Sequence, residues 1–210
     1  MNQKYIITGA PGTGKTAIIN ELKKRGFHCI DENSREVIAE QIKNGGEILP
    51  WKNQIAFENK IANMRTEQYL TSAEDGICFF DRSAIDCIAY LRLNNLEVIS
   101  QILEDIKKCN FSKIAFYTPI WEEIYENDSE RIENIATAKK IEISIISTYK
   151  SQSYELVEVP KLSIKQRADF IISKIKDEIG AVGLFWLQKT DYIFLVGLVL
   201  SAIFTIIFSS

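Results

Sequence analysis

Gly9, Ala10, Pro11, Gly12, Thr13, Gly14, Lys15 and Thr16 form the pattern GxxxxGK[ST], and the chemistry of that pattern is the holding of a polyphosphate. Glycines let the backbone turn tightly and point successive N–H groups inward at phosphate oxygens. The helix that follows, opening at Ala17, presents its positive end to the same anion. The nucleotide contacts are therefore expected along Gly9 to Ala17, with Lys15 reaching the β- and γ-phosphates and Thr16 placing its hydroxyl on the magnesium ion that shields them.

Carboxylates and arginines farther along complete a candidate site. Asp81 closes an apolar run and is immediately followed by Arg82; it stands where a second carboxylate helps hold magnesium, although capping of the next helix also suits it. Asp31 and Glu32 follow another short apolar run and are candidates to contact a substrate. Glu32 is the preferred acceptor of a proton from a hydroxyl that attacks the γ-phosphate, a solvated helix start being the alternative for both acids. Arg35 and Arg82 are placed to neutralise charge on an acceptor or on the transferring phosphoryl group, or else to pair with Glu32 and Asp81. Arg131, beyond an acidic stretch, is the candidate lid arginine, with a surface ion pair as its other reading.

The elements that must position these groups alternate. Apolar runs at 4–8, 27–30, 76–81, 113–117 and 154–158 read as strands. Helical patterns occupy 17–25, 35–43, 54–72, 84–93, 96–109, 131–150 and a last stretch to Lys176, for which Ser163 and Gln166 form a capping box. This order predicts an α/β fold of the P-loop NTPase type, a three-layer sandwich with a mostly parallel five-stranded sheet and ligands at the carboxyl ends of the strands.

Composition narrows the function. A formal charge of -3 over 210 residues gives no reason to expect a nucleic-acid partner, which usually needs a clustered basic surface. Four scattered cysteines and the single histidine, His28, leave a zinc site without its usual ligands and fit a reducing setting. Residues 192–208 carry no charge and as a helix would measure roughly 26 Å, close to a bilayer core. Trp186 and Tyr192 supply interfacial aromatics, and Lys174, Lys176 and Lys189 precede the segment with no positive charge after it. The expected arrangement is a nucleotide-binding domain at 1–178, a juxtamembrane segment at 179–191 and a single transmembrane helix at 192–208, with the nucleotide domain in the cytoplasm. Gly197, Ser201 and Thr205 make a small-residue stripe that would let two such helices form a homodimer, and ordinary membrane-helix composition accounts for it equally well. ATP is expected over GTP, because the guanine-reading [NT]KxD pattern is missing from any strand end and Gln188 to Asp191 is only a near miss.

Taken together, ITGAPGTGKT, IDENSREVI with the following GGEILPW, FFDRSAIDCIAYLRL and TPIWEEIYENDSER resemble the NadR-type (NadR/Ttd-like) AAA domain family of P-loop proteins, over about residues 3–176. The resemblance implies a kinase-like fold that binds ATP or GTP, in a family whose members include ribosylnicotinamide kinase domains and membrane-associated nucleotide-binding proteins. By position it assigns Gly12, Gly14, Lys15 and Thr16 to the phosphate site, Asp81 to the second acidic element, and Glu32 with Arg35 to the acidic and basic pair after the second strand. The apolar C-terminal segment departs from the kinase members, and no nicotinamide-riboside pocket is assignable. The expected activity is membrane-anchored, ATP-dependent transfer of the γ-phosphate to a small hydroxyl-bearing acceptor or lipid headgroup. The alternative is a membrane-tethered nucleotide switch or slow NTPase.

Overall fold

Tyr5, Ile6 and Ile7 are wholly excluded from water in β1 (Gln3–Thr8), as is Phe79 in β3 (Ile77–Asp81). Near-continuous apolar runs of this kind are needed where a strand is covered on both faces. The computed structural model, which describes residues 3–72, 75–124 and 135–187, shows how. Ile6, Cys78 and Phe80 face α4 (Ala84–Leu93) and α6 (Ile135–Ser151), where they join Ile85, Ala89, Ile141, Ile145 and Tyr149 in one cluster. Tyr5 and Phe79 point to the other face, where their rings lie 6.0 Å apart and Phe27 meets Phe79 edge-on at 5.5 Å. Alternation along a strand forces this division.

The remaining elements are α1 (Lys15–Lys24), β2 (His28–Ile30), α2 (Ser34–Lys43), α3 (Gln54–Thr71), α5 (Ser100–Lys107), β4 (Ile114–Tyr117), β5 (Glu155–Glu158) and α7 (Ile164–Leu187). All five strands run parallel in the order β2-β3-β1-β4-β5. Because the chain lays β2 and β3 on one side of β1 and then crosses to place β4 and β5 on the other, the carboxyl end of β1 is the switch point of the sheet. Register then sets the site: Ile7 pairs with Asp81, Thr8 with Tyr117 and Ile30 with Phe80. Gly9, Glu32 and Asp81 are thereby carried to one edge by backbone pairing alone.

α3 is buried along two stripes, and Glu58 and Arg65 lie on them beside Phe57, Ile61 and Ala62. Asn53 caps its start by accepting the Ala56 N–H at 3.1 Å. The helix expected from residue 96 begins only at Ser100. Asn95 turns to φ 55 and the Leu96 N–H reaches back to the Leu91 carbonyl at 2.9 Å, so Leu96 closes α4 instead of opening α5. The Ser163 and Gln166 capping box forms as expected, the Ser163 N–H donating to Gln166 Oε1 at 3.3 Å and the Gln166 N–H to Ser163 Oγ at 3.5 Å. His28 is exposed at the first position of β2.

The chain divides into two compact units, residues 1–168 and 169–210. The sheet and every site residue considered below belong to the first. In the second, the helical backbone of α7 is interrupted at Gly180, which has φ 65. The expected transmembrane helix, 192–208, lies outside the described residues, and among those described no helix is long and apolar enough to cross a membrane.

Candidate functional site

The loop between β1 and α1 is shaped by close approach. A side chain at Gly9, which has φ 145, would collide with Thr118, whose hydroxyl donates to the Thr8 carbonyl at 3.1 Å and lies 2.6 Å from the Thr13 hydroxyl. Thr13 in turn donates to the Ala10 carbonyl or shares its proton with Thr118, so the loop is clamped against the end of β4. Lys15 is buried and its ammonium donates to the Gly9 and Ala10 carbonyls at 3.0 and 2.7 Å. Burial, reinforced by the Arg82 guanidinium, lowers it to about 7 against the pull of Asp81, Asp86 and Glu32. Phosphate oxygens are the ligands that would replace those carbonyls and restore the full positive charge.

Asp81 is buried at the carboxyl end of β3, and its Oδ1 has no hydrogen-bond partner among the described residues. Desolvation pushes this carboxyl up, although Lys15 and Arg82 pull it down. An orphaned buried oxygen is what a hydrated cation or its water would satisfy, and Thr16 is exposed in the first turn of α1. Both residues fit a magnesium site, an ion that takes one or two protein ligands and otherwise keeps water. No cluster of three or more acidic, cysteine or histidine ligands occurs among the described residues.

Arg82 does not pair with Asp81. Its Nη1 donates to Asp86 at 3.1 Å from a backbone held at φ 76, a conformation that costs a non-glycine residue about 1–3 kcal/mol and survives only when its surroundings enforce it. Asp86 supplies the enforcement. Its carboxylate, fully buried, also accepts the Thr8 hydroxyl at 2.5 Å, the Ser83 N–H at 2.9 Å and the Tyr149 hydroxyl at 2.6 Å. Burial would raise this carboxyl, but Arg82, Arg65, Thr8 and Tyr149 together hold it below the usual range.

Glu32 stands at the end of β2 and accepts the Ser34 N–H at 2.8 Å and Arg65 Nη2 at 3.3 Å. Burial opposes its ionisation, yet Arg65, Arg82 and Ser34 prevail and keep it below its ordinary value. Arg65 reaches across from α3, its other arm donating to the Ser83 carbonyl at 3.0 Å and to Cys87 Sγ at 3.5 Å. On the far side of Cys87, whose thiol hydrogen-bonds it, the Glu58 carboxyl is raised to about 7 by burial, with Arg65 drawing it down by less.

The structure therefore brings Lys15, Glu32, Asp81 and Arg82 into one electrostatic neighbourhood at the strand ends. Asp31 turns outward to an exposed pair with Lys23, and Arg35 is exposed on α2. Arg131 lies outside the described residues. Arg65, Asp86, Tyr149 and Glu58 escaped the sequence reading. Asp86 alone left a trace there, since Ser83 and Asp86 have capping-box spacing and do form that box.

Two measurements test this wiring. Tyr149→Phe removes one donor from a buried carboxylate and is expected to cost about 1–3 kcal/mol of stability, whereas Asp86→Asn, which strands the Arg82 charge, is expected to cost about 3–5 kcal/mol; equal thermal shifts would contradict the network. For Glu58, a folded pKa near 7 against an ordinary 4.5 means that the fold binds this proton more tightly than the unfolded chain does. Its contribution is complete below the unfolded value and is lost as pH rises through 7. Glu58→Gln should therefore change the melting temperature little at pH 4 and raise it at pH 8, by on the order of 3 kcal/mol in stability.

The AAA domain family model matches residues 4–167. Among curated proteins no sequence matches. Among solved structures, deoxyadenosine kinase from M. mycoides with the products dCMP and dCDP superposes with a TM-score of 0.61 at 18% identity, covering 82% of this chain and 98% of that one. Thymidylate kinase from Candida albicans gives 0.61 at 17%, covering 84% and 92%. The NadR protein in complex with NR gives 0.61 at 15% identity, covering 77% of this chain and only 46% of that longer one. Likeness at such identities speaks to the fold, which is a P-loop kinase-like α/β sandwich. With its phosphate loop clamped at the switch point of a parallel sheet and the family match running over that whole unit, the chain belongs to the AAA domain family.

Proposed function

We propose that the chain is an ATP-dependent phosphotransferase that moves the γ-phosphate to the hydroxyl of a small acceptor. The observation that carries this reading is Glu32, a carboxylate held ionised by Arg65 and Ser34 in the neighbourhood of Lys15, Asp81 and Arg82. A phosphate site alone needs no such base. An acceptor hydroxyl near Glu32 would pass its proton to the carboxylate as its oxygen attacks phosphorus. Lys15 and Arg82 would meet the charge that spreads over the transferring oxygens. Thr16 and Asp81 would hold magnesium, which supplies further shielding of the phosphates.

The acceptor class follows by analogy with the superposed nucleoside and nucleotide kinases, so a nucleoside-type hydroxyl is the first candidate and a lipid headgroup the second. ATP is preferred to GTP because no guanine-reading pattern follows a strand. The membrane anchor is part of the same proposal and rests on the uncharged segment 192–208 with lysines only before it. Arg131 is kept as the proposed lid arginine on its place in the sequence.

With labelled ATP and a panel of nucleosides, nucleoside monophosphates and lipid headgroups, Glu32→Gln is expected to lower transfer by about 10²- to 10⁴-fold while leaving ATP affinity nearly unchanged. Lys15→Ala should abolish nucleotide binding. Release of inorganic phosphate alone, with no phosphorylated acceptor, would favour the nucleotide switch. Deleting residues after Ile179 should move the protein out of the membrane fraction with ATP binding retained; full-length protein found already in the soluble fraction would rule out the anchor.

A further inference from the structure

Arg167 takes no part in the chemistry set out above, yet its guanidinium lies buried against the phosphate loop. The capping box at Ser163 fixes the first turn of α7, where the Arg167 N–H donates to the Ser163 carbonyl at 2.9 Å. The end of α1 holds the same turn from the other side, Arg25 Nη2 donating to the Lys165 carbonyl at 3.0 Å. From this anchored position the Arg167 side chain, only 3% exposed, donates through Nη2 to the Thr13 carbonyl at 3.0 Å. Its Nε is buried without a partner among the described residues, and a side chain at Gly14 would come within 2.8 Å of Nη1. Gly14, at φ 84, thus serves both the turn and the space the guanidinium needs. Among the described residues burial alone acts on Arg167, lowering its pKa with no acidic neighbour to oppose it. A buried cation with one carbonyl for a partner is an expensive arrangement unless an anion is to arrive.

We infer that Arg167 is a positioning residue of the phosphate cradle, which orients the peptide between Thr13 and Gly14 and adds positive charge behind it. In a planar trans peptide the carbonyl and the N–H point in opposite directions. Holding the Thr13 carbonyl toward Arg167 therefore holds the Gly14 N–H away from it, as one of the loop donors that a phosphate meets. The guanidinium also polarises that peptide, which strengthens the N–H as a donor, and the polyphosphate provides the counter-charge. Arg167 touches the loop and no reacting atom. The inference rests on nucleotide binding at this loop and not on the identity of any acceptor.

The test uses the full chain with Arg167→Met and Arg167→Lys. Dissociation constants for ATP and for inorganic tripolyphosphate are measured by calorimetry with magnesium present, and melting temperatures without ligand. Arg167→Met is expected to weaken both ligands by the same factor, about 10-fold or more, and Arg167→Lys, which keeps the charge but loses the planar fork, by a smaller common factor. Loss of ATP affinity with tripolyphosphate unaffected would overturn the inference in favour of a contact to the base or ribose. Unchanged affinities with a lowered melting temperature would overturn it in favour of a simple brace. Should Arg167→Met fail to fold, the Lys variant decides between the same outcomes. Since neither ligand requires an acceptor, failure to find phosphoryl transfer leaves this result standing.

Discussion

A carboxylate shut away from water must find its hydrogen bonds inside the protein, and Asp86 finds them in Thr8, Arg82, Ser83 and Tyr149. Those donors come from the end of β1, the turn after β3 and the last third of α6. Satisfying one buried charge therefore fixes three separate pieces of chain relative to one another. Leaving any donor out would expose the desolvation cost of the ion, which is why the turn at Arg82 tolerates a left-handed backbone that a non-glycine residue otherwise avoids. The phosphate loop starts one residue beyond Thr8, so its geometry inherits this rigidity.

The same economy governs the second arginine. Arg65 lies between two carboxyls, Glu32 and Glu58, and its arms reach only the first directly. Desolvation is compensated at Glu32 and not at Glu58, so one acid ionises below the ordinary range and the other only as the pH nears 7. Environments that push two similar groups apart in this way are how a fold assigns different duties to chemically equal side chains. Here the assignment gives an ionised carboxylate among the charges at the strand ends and, beside Cys87 of α4, a buried carboxyl on α3 that resists ionisation.

Much of this frame was legible beforehand. Strands that end in Thr8, Asp81 and Tyr117 announce themselves by apolar runs closed with polar residues, and the glycine spacing after β1 admits few other readings. The helix pattern failed at 96–99 because Leu96 is apolar at a helical interval but is consumed as the hydrophobic end of the α4 cap. Arg65 and Glu58 were missed for a related reason. A charge in a long helix reads as solvated until the packing shows that it lies on the stripe the helix buries.

Sequence by itself determined the phosphate loop, the alternation of strands and helices, and the carboxylates at the strand ends, because each depends on residues within a few positions of one another. The apolar segment 192–208 is likewise a local property. Tertiary structure alone decided which charges meet. Glu32 is joined to Arg65, Asp86 to Thr8 and Tyr149, and Arg167 to Thr13 across chain separations that no local pattern encodes. Those pairings follow from strand register and helix packing, which bring distant polar groups out of water together and leave them no partners but each other.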